Sequence, residues 1–195
     1  MSVAENRERG LSLWEMLKED YAVHHKDWSR PGFRAIAVYR LGHWRLGVRS
    51  RPIRGVIGLF YWRLFRFVRN VYGIEIAATA RIGRRLEIAH QGAIVLHAFA
   101  IIGDDCVIRQ GVTLGVGGLN RAEDFAQSGP LIGDRVDFGA GCKVVGKVTI
   151  GDDVNIAPNA VVLTNVPANS SVLPPLAKIL SRPSAINQEA LKKIS

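Results

Sequence analysis

The stretch Ile132-Gly-Asp-Arg-Val-Asp-Phe138-Gly-Ala-Gly-Cys-Lys-Val144-Val-Gly-Lys-Val-Thr-Ile150-Gly-Asp-Asp-Val-Asn-Ile156-Ala-Pro-Asn-Ala-Val-Val162 repeats with a period of six. Ile132, Phe138, Val144, Ile150, Ile156 and Val162 share one phase, and Gly133, Gly139, Gly151 and Ala157 directly follow four of them. Helices repeat every 3.6 residues and strands every two, so neither yields a strict six. A chain that turns a corner every six residues does. One large apolar side chain then points inward at each corner, and a small residue beside it lets the backbone turn tightly. This is the hexapeptide pattern of a parallel β-helix.

The period extends toward the N-terminus. Ile76, Ile82, Ile88 and Ile94 keep it, with Ala77, Gly83 and Ala89 beside the first three. The phase slips by two at Leu96 and resumes at Ile102, Ile108 and Leu114. Between Leu114 and Ile132 the pattern breaks in a glycine-rich polar segment, read as a loop over 116–129 that leaves the stack of coils. Such insertions often build the binding face of a repeat fold. The expected organisation is a helical domain over 1–72, a β-helix over 73–180 and a C-terminal tail over 181–195.

The first seventy residues differ in kind. Ser12-Leu-Trp-Glu15 reads as a capping box opening a helix that runs to about Tyr21. Ser29-Arg-Pro31 breaks the chain, and Phe33, Ile36, Ala37, Arg40, Leu41 and Trp44 then follow helical spacing. After Arg51-Pro52 a third helix is expected over Ile53–Val71. The end coil of a solenoid exposes an unpaired edge, and a helical domain is one way to cover it.

The chain has 195 residues, is 48% hydrophobic and carries a formal net charge of +9. Thirteen arginines lie between Arg30 and Arg85, where Glu75 is the one acid. The stripe Arg51, Arg54, Trp62, Arg63, Arg66 and Arg69 leaves three readings open. It is a solvated face whose aromatics sit in a helix–helix core, a peripheral membrane contact over 53–71, or a nucleic-acid surface. The first is preferred, and no nucleic-acid partner is expected. Cys106 and Cys142 suggest packed thiols in a reducing compartment. The charged start of the chain does not read as a secretory leader, and a cytoplasmic protein is expected, with the inner membrane face as an alternative site.

Five histidines are candidates for chemistry. His24, His25 and His43 fall on the helices and read as structural or solvated. His90 and His97 fall in the coils. His90 precedes the phase slip and the glycine-rich loop, and Glu75 lies fifteen residues earlier, close to the eighteen of a three-sided coil. A carboxylate one coil below would orient the imidazole and stabilise its protonated form, the wiring of a general base. His97 reads as a half-exposed coil residue or as a second acid or base. Two coil histidines are too few for a zinc site of three, so no metal is expected.

Pro31-Gly-Phe-Arg-Ala-Ile-Ala-Val-Tyr-Arg-Leu-Gly-His43, Gly73-Ile-Glu-Ile76, Ala80-Arg-Ile-Gly-Arg84, Ala89-His90, Gly111-Val-Thr-Leu-Gly115 and Ile132-Gly-Asp134 resemble the serine acetyltransferases and the related O-acetyltransferases of exopolysaccharide and colanic-acid clusters. The resemblance covers about residues 12–180. It implies a left-handed β-helix that assembles as a trimer or hexamer and uses acetyl-CoA, with active sites between neighbouring subunits. It implies His90 as the catalytic histidine and Glu75 as its supporting acid. Gly115, Gly117 and Gly118 match the loop beside the acetyl-CoA channel, and Gly139, Ala140 and Ala157 match small positions along the pantetheine arm. Lys178 matches a contact near the adenine end.

The departures bear on the acceptor. Serine acetyltransferases carry Asp-His where this chain has Ala89-His90, and Arg-His-Pro where it has Ser128-Gly129-Pro130. Serine is a zwitterion, and a closed site must pair both of its charges. A neutral sugar hydroxyl makes no such demand. The expected function is therefore acetyl transfer from acetyl-CoA to a saccharide hydroxyl in exopolysaccharide biosynthesis. Serine acetylation is the enzymatic alternative, and a non-catalytic β-helix scaffold is the alternative of another class.

Overall fold

The computed structural model describes residues 11–117 and 128–180. Among the described residues three α-helices come first: α1 (Leu13–Val23), α2 (Pro31–Leu46) and α3 (Arg51–Phe67), the last running into a π-helical turn over Val68–Tyr72. The capping box is present at Ser12 and Glu15. Pro31 does not merely interrupt the chain. It occupies the first turn of α2, where its missing N–H costs nothing. Among the described residues fourteen strands follow: β1 (Ile74–Ile76), β2 (Arg81–Ile82), β3 (Glu87–Ile88), β4 (Ile94–Leu96), β5 (Ile101–Ile102), β6 (Val107–Ile108), β7 (Thr113–Gly115), β8 (Leu131–Ile132), β9 (Asp137–Phe138), β10 (Lys143–Val145), β11 (Thr149–Ile150), β12 (Asn155–Ile156), β13 (Val161–Val162) and β14 (Ser171–Val172).

Each strand holds only two or three residues and pairs in parallel with the strand one coil away. The three sheets are ordered β1-β4-β7-β10-β13, β11-β8-β5-β2 and β14-β12-β9-β6-β3. Successive strands pass from the first sheet to the second and then the third in rotation, so the chain is a three-sided parallel β-helix beneath a helical region.

The in-phase residues are not at the corners. Ile132 and Phe138 each end a strand, and the corner starts at the glycine that follows. A second inward column runs two residues ahead of the first: Val136, Cys142, Val148, Val154 and Ala160 are all buried. Two apolar side chains per face fill the triangle, and this column absorbs both cysteines. Burial raises their thiols, Cys106 to about 12 and Cys142 to about 11, so both are packed, neutral groups.

The second column also relocates the phase slip. Leu96 pairs with Leu114 and so holds the in-phase position, while Ile94 belongs to the other column. The two extra residues sit in the corner after β3 (Glu87–Ile88), where Gly92 and Ala93 have φ of 110° and 52°. Arg81 consequently pairs with Ile101, twenty residues on, whereas Leu131 pairs with Thr149, eighteen on.

Between the second and third sheets the coils stack through an aspartate file. Asp104 accepts the N–H of Arg84 at 2.9 Å, Asp134 that of Asp104 at 2.9 Å, and Asp152 that of Asp134 at 2.8 Å. A Cβ on Gly133 would lie 2.3 Å from the Asp152 carboxylate, so the file requires glycine there.

The helical region closes the open edge of the first coil with polar side chains. Tyr39 donates its hydroxyl to the Ala80 carbonyl at 2.9 Å and accepts the Ile82 N–H at 3.1 Å. Arg40 donates to the Ile82 carbonyl at 2.7 Å and to the Gly83 carbonyl at 2.5 Å. His43 Nδ1 lies 2.9 Å from the Ala78 carbonyl. These are the unpaired groups that an edge strand otherwise leaves to solvent.

The aromatics of α3 do not form the helix–helix core preferred from the sequence. Tyr61 is buried against α2, but Phe60, Trp62 and Phe67 are 61%, 52% and 49% exposed. Among the described residues no helix is long and apolar enough to cross a membrane.

Candidate functional site

Two corners of the triangle carry the candidate residues. His90 follows β3 and lies on the corner leading into β4 (Ile94–Leu96). It is exposed. The extra residues beside it fold back through Gly92, whose carbonyl accepts the Gly111 N–H at 2.8 Å. The corner rests on Gly73, where a Cβ would come within 3.1 Å of the Ala93 nitrogen.

The same corner continues down the stack. The Gly141 N–H donates to the Gln110 carbonyl at 2.8 Å, and the Asn159 N–H to the Ala140 carbonyl at 2.9 Å. Gly139, Ala140 and Ala157 therefore share a file with His90. Gly139 admits no side chain, because its Cβ would meet the Pro158 nitrogen at 2.5 Å. The file is a shelf of small residues leading away from the imidazole.

Glu75 is the outward residue of β1, between buried Ile74 and Ile76, and pairs in register with Val95. Its register partner Val95 lies one coil on, five residues past His90. No hydrogen bond or ion pair joins Glu75 to His90 among the described residues.

Gly115 ends β7 (Thr113–Gly115), so it and Gly117 fall on the next corner, between the first and second sheets. Gly117 packs on the following coil, where its Cβ would lie 2.9 Å from the Gly146 Cα. Gly118 and residues 118–127 of the expected loop lie outside the described residues. Lys178 is exposed in the segment after β14.

His97 follows β4 and belongs to the Gly115 corner. Its ring is 5.4 Å from that of Phe99, and its Nδ1 accepts from the Phe99 N–H at 3.4 Å. Beside it a cleft of about 260 Å³ is lined by Thr79, Arg81, Ala98, Phe99, Ala100 and Ile101. The length of β4 separates His97 from His90, so one chain does not bring the two imidazoles together.

One relationship was not legible in the sequence. A Cβ on Gly129 would lie 2.1 Å from the Phe99 carbonyl oxygen and 2.9 Å from the Phe99 Cβ. Residue 129 is thus pressed onto the coil below, and a larger residue there requires the backbone to move. The contact spans thirty residues, and only the glycine itself hinted at it. The remaining buried polar groups, Asp20, His24 and Arg40, are all in the helical cap. Among the described residues no three His, Cys, Asp or Glu side chains converge as metal ligands would.

Residues 129–164 match the family described as bacterial transferase hexapeptide (six repeats). The serine acetyltransferase of Helicobacter pylori (strain ATCC 700392 / 26695) is 38% identical over 178 residues, covering 88% of this chain and 95% of that protein. The serine acetyltransferase of Staphylococcus aureus (strain Mu50 / ATCC 700699) is 46% identical over 153 residues, 78% of this chain and 62% of its own length. Serine acetyltransferase isoform 3 of Entamoeba histolytica, solved in complex with cysteine, superposes with a TM-score of 0.67 at 27% identity over 92% of this chain. This chain spans 64% of the amoebic chain.

Proposed function

This chain belongs to the serine acetyltransferase family of hexapeptide-repeat acyltransferases, and on that premise we propose that it moves the acetyl group of acetyl-CoA onto the hydroxyl of L-serine. The observation that carries the acceptor is the 38% identity that spans 95% of the Helicobacter pylori serine acetyltransferase. It favours serine over the saccharide expected from the sequence.

In this reading acetyl-CoA lies along the shelf of Gly139, Ala140 and Ala157, with its thioester toward His90. The His90 imidazole removes the proton of the serine hydroxyl as the oxygen attacks the thioester carbonyl. Backbone N–H groups near Gly115 and Gly117 stabilise the oxyanion. The C–S bond then breaks, and the imidazolium returns its proton to the departing CoA thiolate. Glu75 is a positioning residue for the ring. A site of this kind needs two subunits, because His90 and the Gly115 corner lie at opposite ends of β4 in one chain. We therefore place it between neighbouring copies of a trimer.

One observation favours a second acceptor. Ser128-Gly129 offers no charge for a serine carboxylate, and the Phe99 carbonyl keeps position 129 small. A neutral saccharide hydroxyl would not need that charge. The test is free-thiol release from acetyl-CoA with L-serine and then with a panel of saccharides and nucleotide sugars. Serine-dependent release that His90→Ala abolishes is the expected result. Release with a saccharide and none with serine overturns the serine reading.

A further inference from the structure

We propose that the exposed flank of α3, formed by Ile53, Val56, Phe60, Leu64, Phe67 and Val71, seats on the surface of an anionic lipid bilayer. The six residues recur at intervals of three or four, so they form one line along the helix and its π-helical continuation. They are 55%, 59%, 61%, 43%, 49% and 61% exposed. The face that α3 turns to the protein is a different one. It carries Gly58, Tyr61 and Val68, and Tyr61 lies so close to α2 that a Cβ on Gly42 would meet its ring at 2.2 Å. The apolar line is therefore surplus to the core. An apolar line of this length on a surface marks a contact with something else.

Charge identifies the occupant. Residues 28–74 contain ten arginines and neither aspartate nor glutamate. Arg63, Arg66 and Arg69 are exposed along α3 and its continuation. A second copy laid on this stripe would bring arginines against arginines. Anionic headgroups neutralise them while the apolar line enters the acyl boundary. No described helix is long and apolar enough to cross a bilayer, so the contact is peripheral. The proposal is independent of the acceptor.

The experiment is sedimentation of the full chain with vesicles of phosphatidylcholine alone and of phosphatidylcholine with phosphatidylglycerol. Binding to the anionic vesicles, weakened by salt, is expected. Arg63→Gln should weaken it about fivefold, the effect of one cation near such a surface. Phe60→Gln with Phe67→Gln should abolish it while circular dichroism and the mass of the assembly stay unchanged. Failure to bind anionic vesicles, equal binding to neutral ones, or binding indifferent to these substitutions overturns the proposal. A fall in assembly mass for the double phenylalanine variant also overturns it, and reassigns the stripe to a contact between copies.

Discussion

His24 Nε2 accepts the N–H of Ile88 at 3.1 Å, across sixty-four residues of chain. Nδ1 of the same ring lies 2.6 Å from the Asp20 carbonyl, so it is the nitrogen that carries the proton. The imidazole is fully buried and must be neutral to make both bonds. It takes the place of a neighbouring strand for the first coil. Burial holds its pKa below the ordinary histidine value of 6.5, outweighing the Asp20 carbonyl bond that raises it. The unfolded chain therefore binds the proton more readily than the folded one. This stabilisation is full above pH 6.5 and is lost as pH falls from there through the depressed folded value. Urea unfolding at pH 8, 6 and 5 should show it. His24→Ala should cost about 1–3 kcal/mol at pH 8 by orphaning the Ile88 N–H, and should flatten the acid slope.

The guanidinium of Arg40 forms a buried pair with Asp20, Nε to Oδ2 at 2.8 Å, with both side chains almost free of solvent. Arg40 also feeds the Ile82 and Gly83 carbonyls, so the pair ties α1 and α2 to the second sheet. Removing the carboxylate leaves a buried cation without its counter-charge. Asp20→Ala should destabilise the protein by about 3–5 kcal/mol. The urea midpoint checks it, and a loss under about 1 kcal/mol would mean that water or another acid reaches the guanidinium.

The fold was legible because a six-residue period is a local signal carried by each coil separately. Ile132, Phe138 and Val144 announce it regardless of what lies above or below them. The second inward column was hidden by its mixed composition, since Cys106, Cys142, Ala100 and Ala160 share burial without sharing a residue type. That is also why the slip was placed at Leu96 instead of the His90 corner. A helical cap over the first coil was expected, but its contacts were not legible, because Tyr39, Arg40 and His24 meet partners more than forty residues away. That His90 falls in the coils and that Gly139 follows an inward residue came from spacing alone. The Phe99–Gly129 contact did not, as it depends on how an inserted loop returns to the stack.

That contact gives a test with an internal control. Gly129→Ala places a methyl 2.1 Å from the Phe99 carbonyl oxygen, and backbone has to shift. Overpacking of this kind costs about 1–3 kcal/mol. Gly115→Ala meets nothing closer than a Thr113 methyl at 3.7 Å and should stay within about 0.5 kcal/mol of the parent. Equal urea midpoints for the two variants would show that the 128–130 segment yields freely.

The proposed chemistry makes His90 dispensable for folding and indispensable for turnover. It is exposed and has no hydrogen-bond or ion-pair partner among the described residues, so His90→Ala should leave the urea midpoint unchanged. Loss of a general base should lower kcat/KM by about 10²–10⁴. In this reading Glu75 acts through the ring, and its replacement is diagnostic when combined with that of His90. Glu75→Gln should lower kcat/KM while His90 is intact. In the His90→Ala background the same change should do little further harm, because the group it serves is gone. Subunit geometry supplies the final check. His90→Ala co-assembled with a variant blocked at the other corner, Gly117→Trp, should recover activity that neither possesses alone. Intact copies of the two corners then meet across a subunit boundary. A mixed assembly as silent as its parents, with exchange of subunits verified by mass, would place the whole site within one chain.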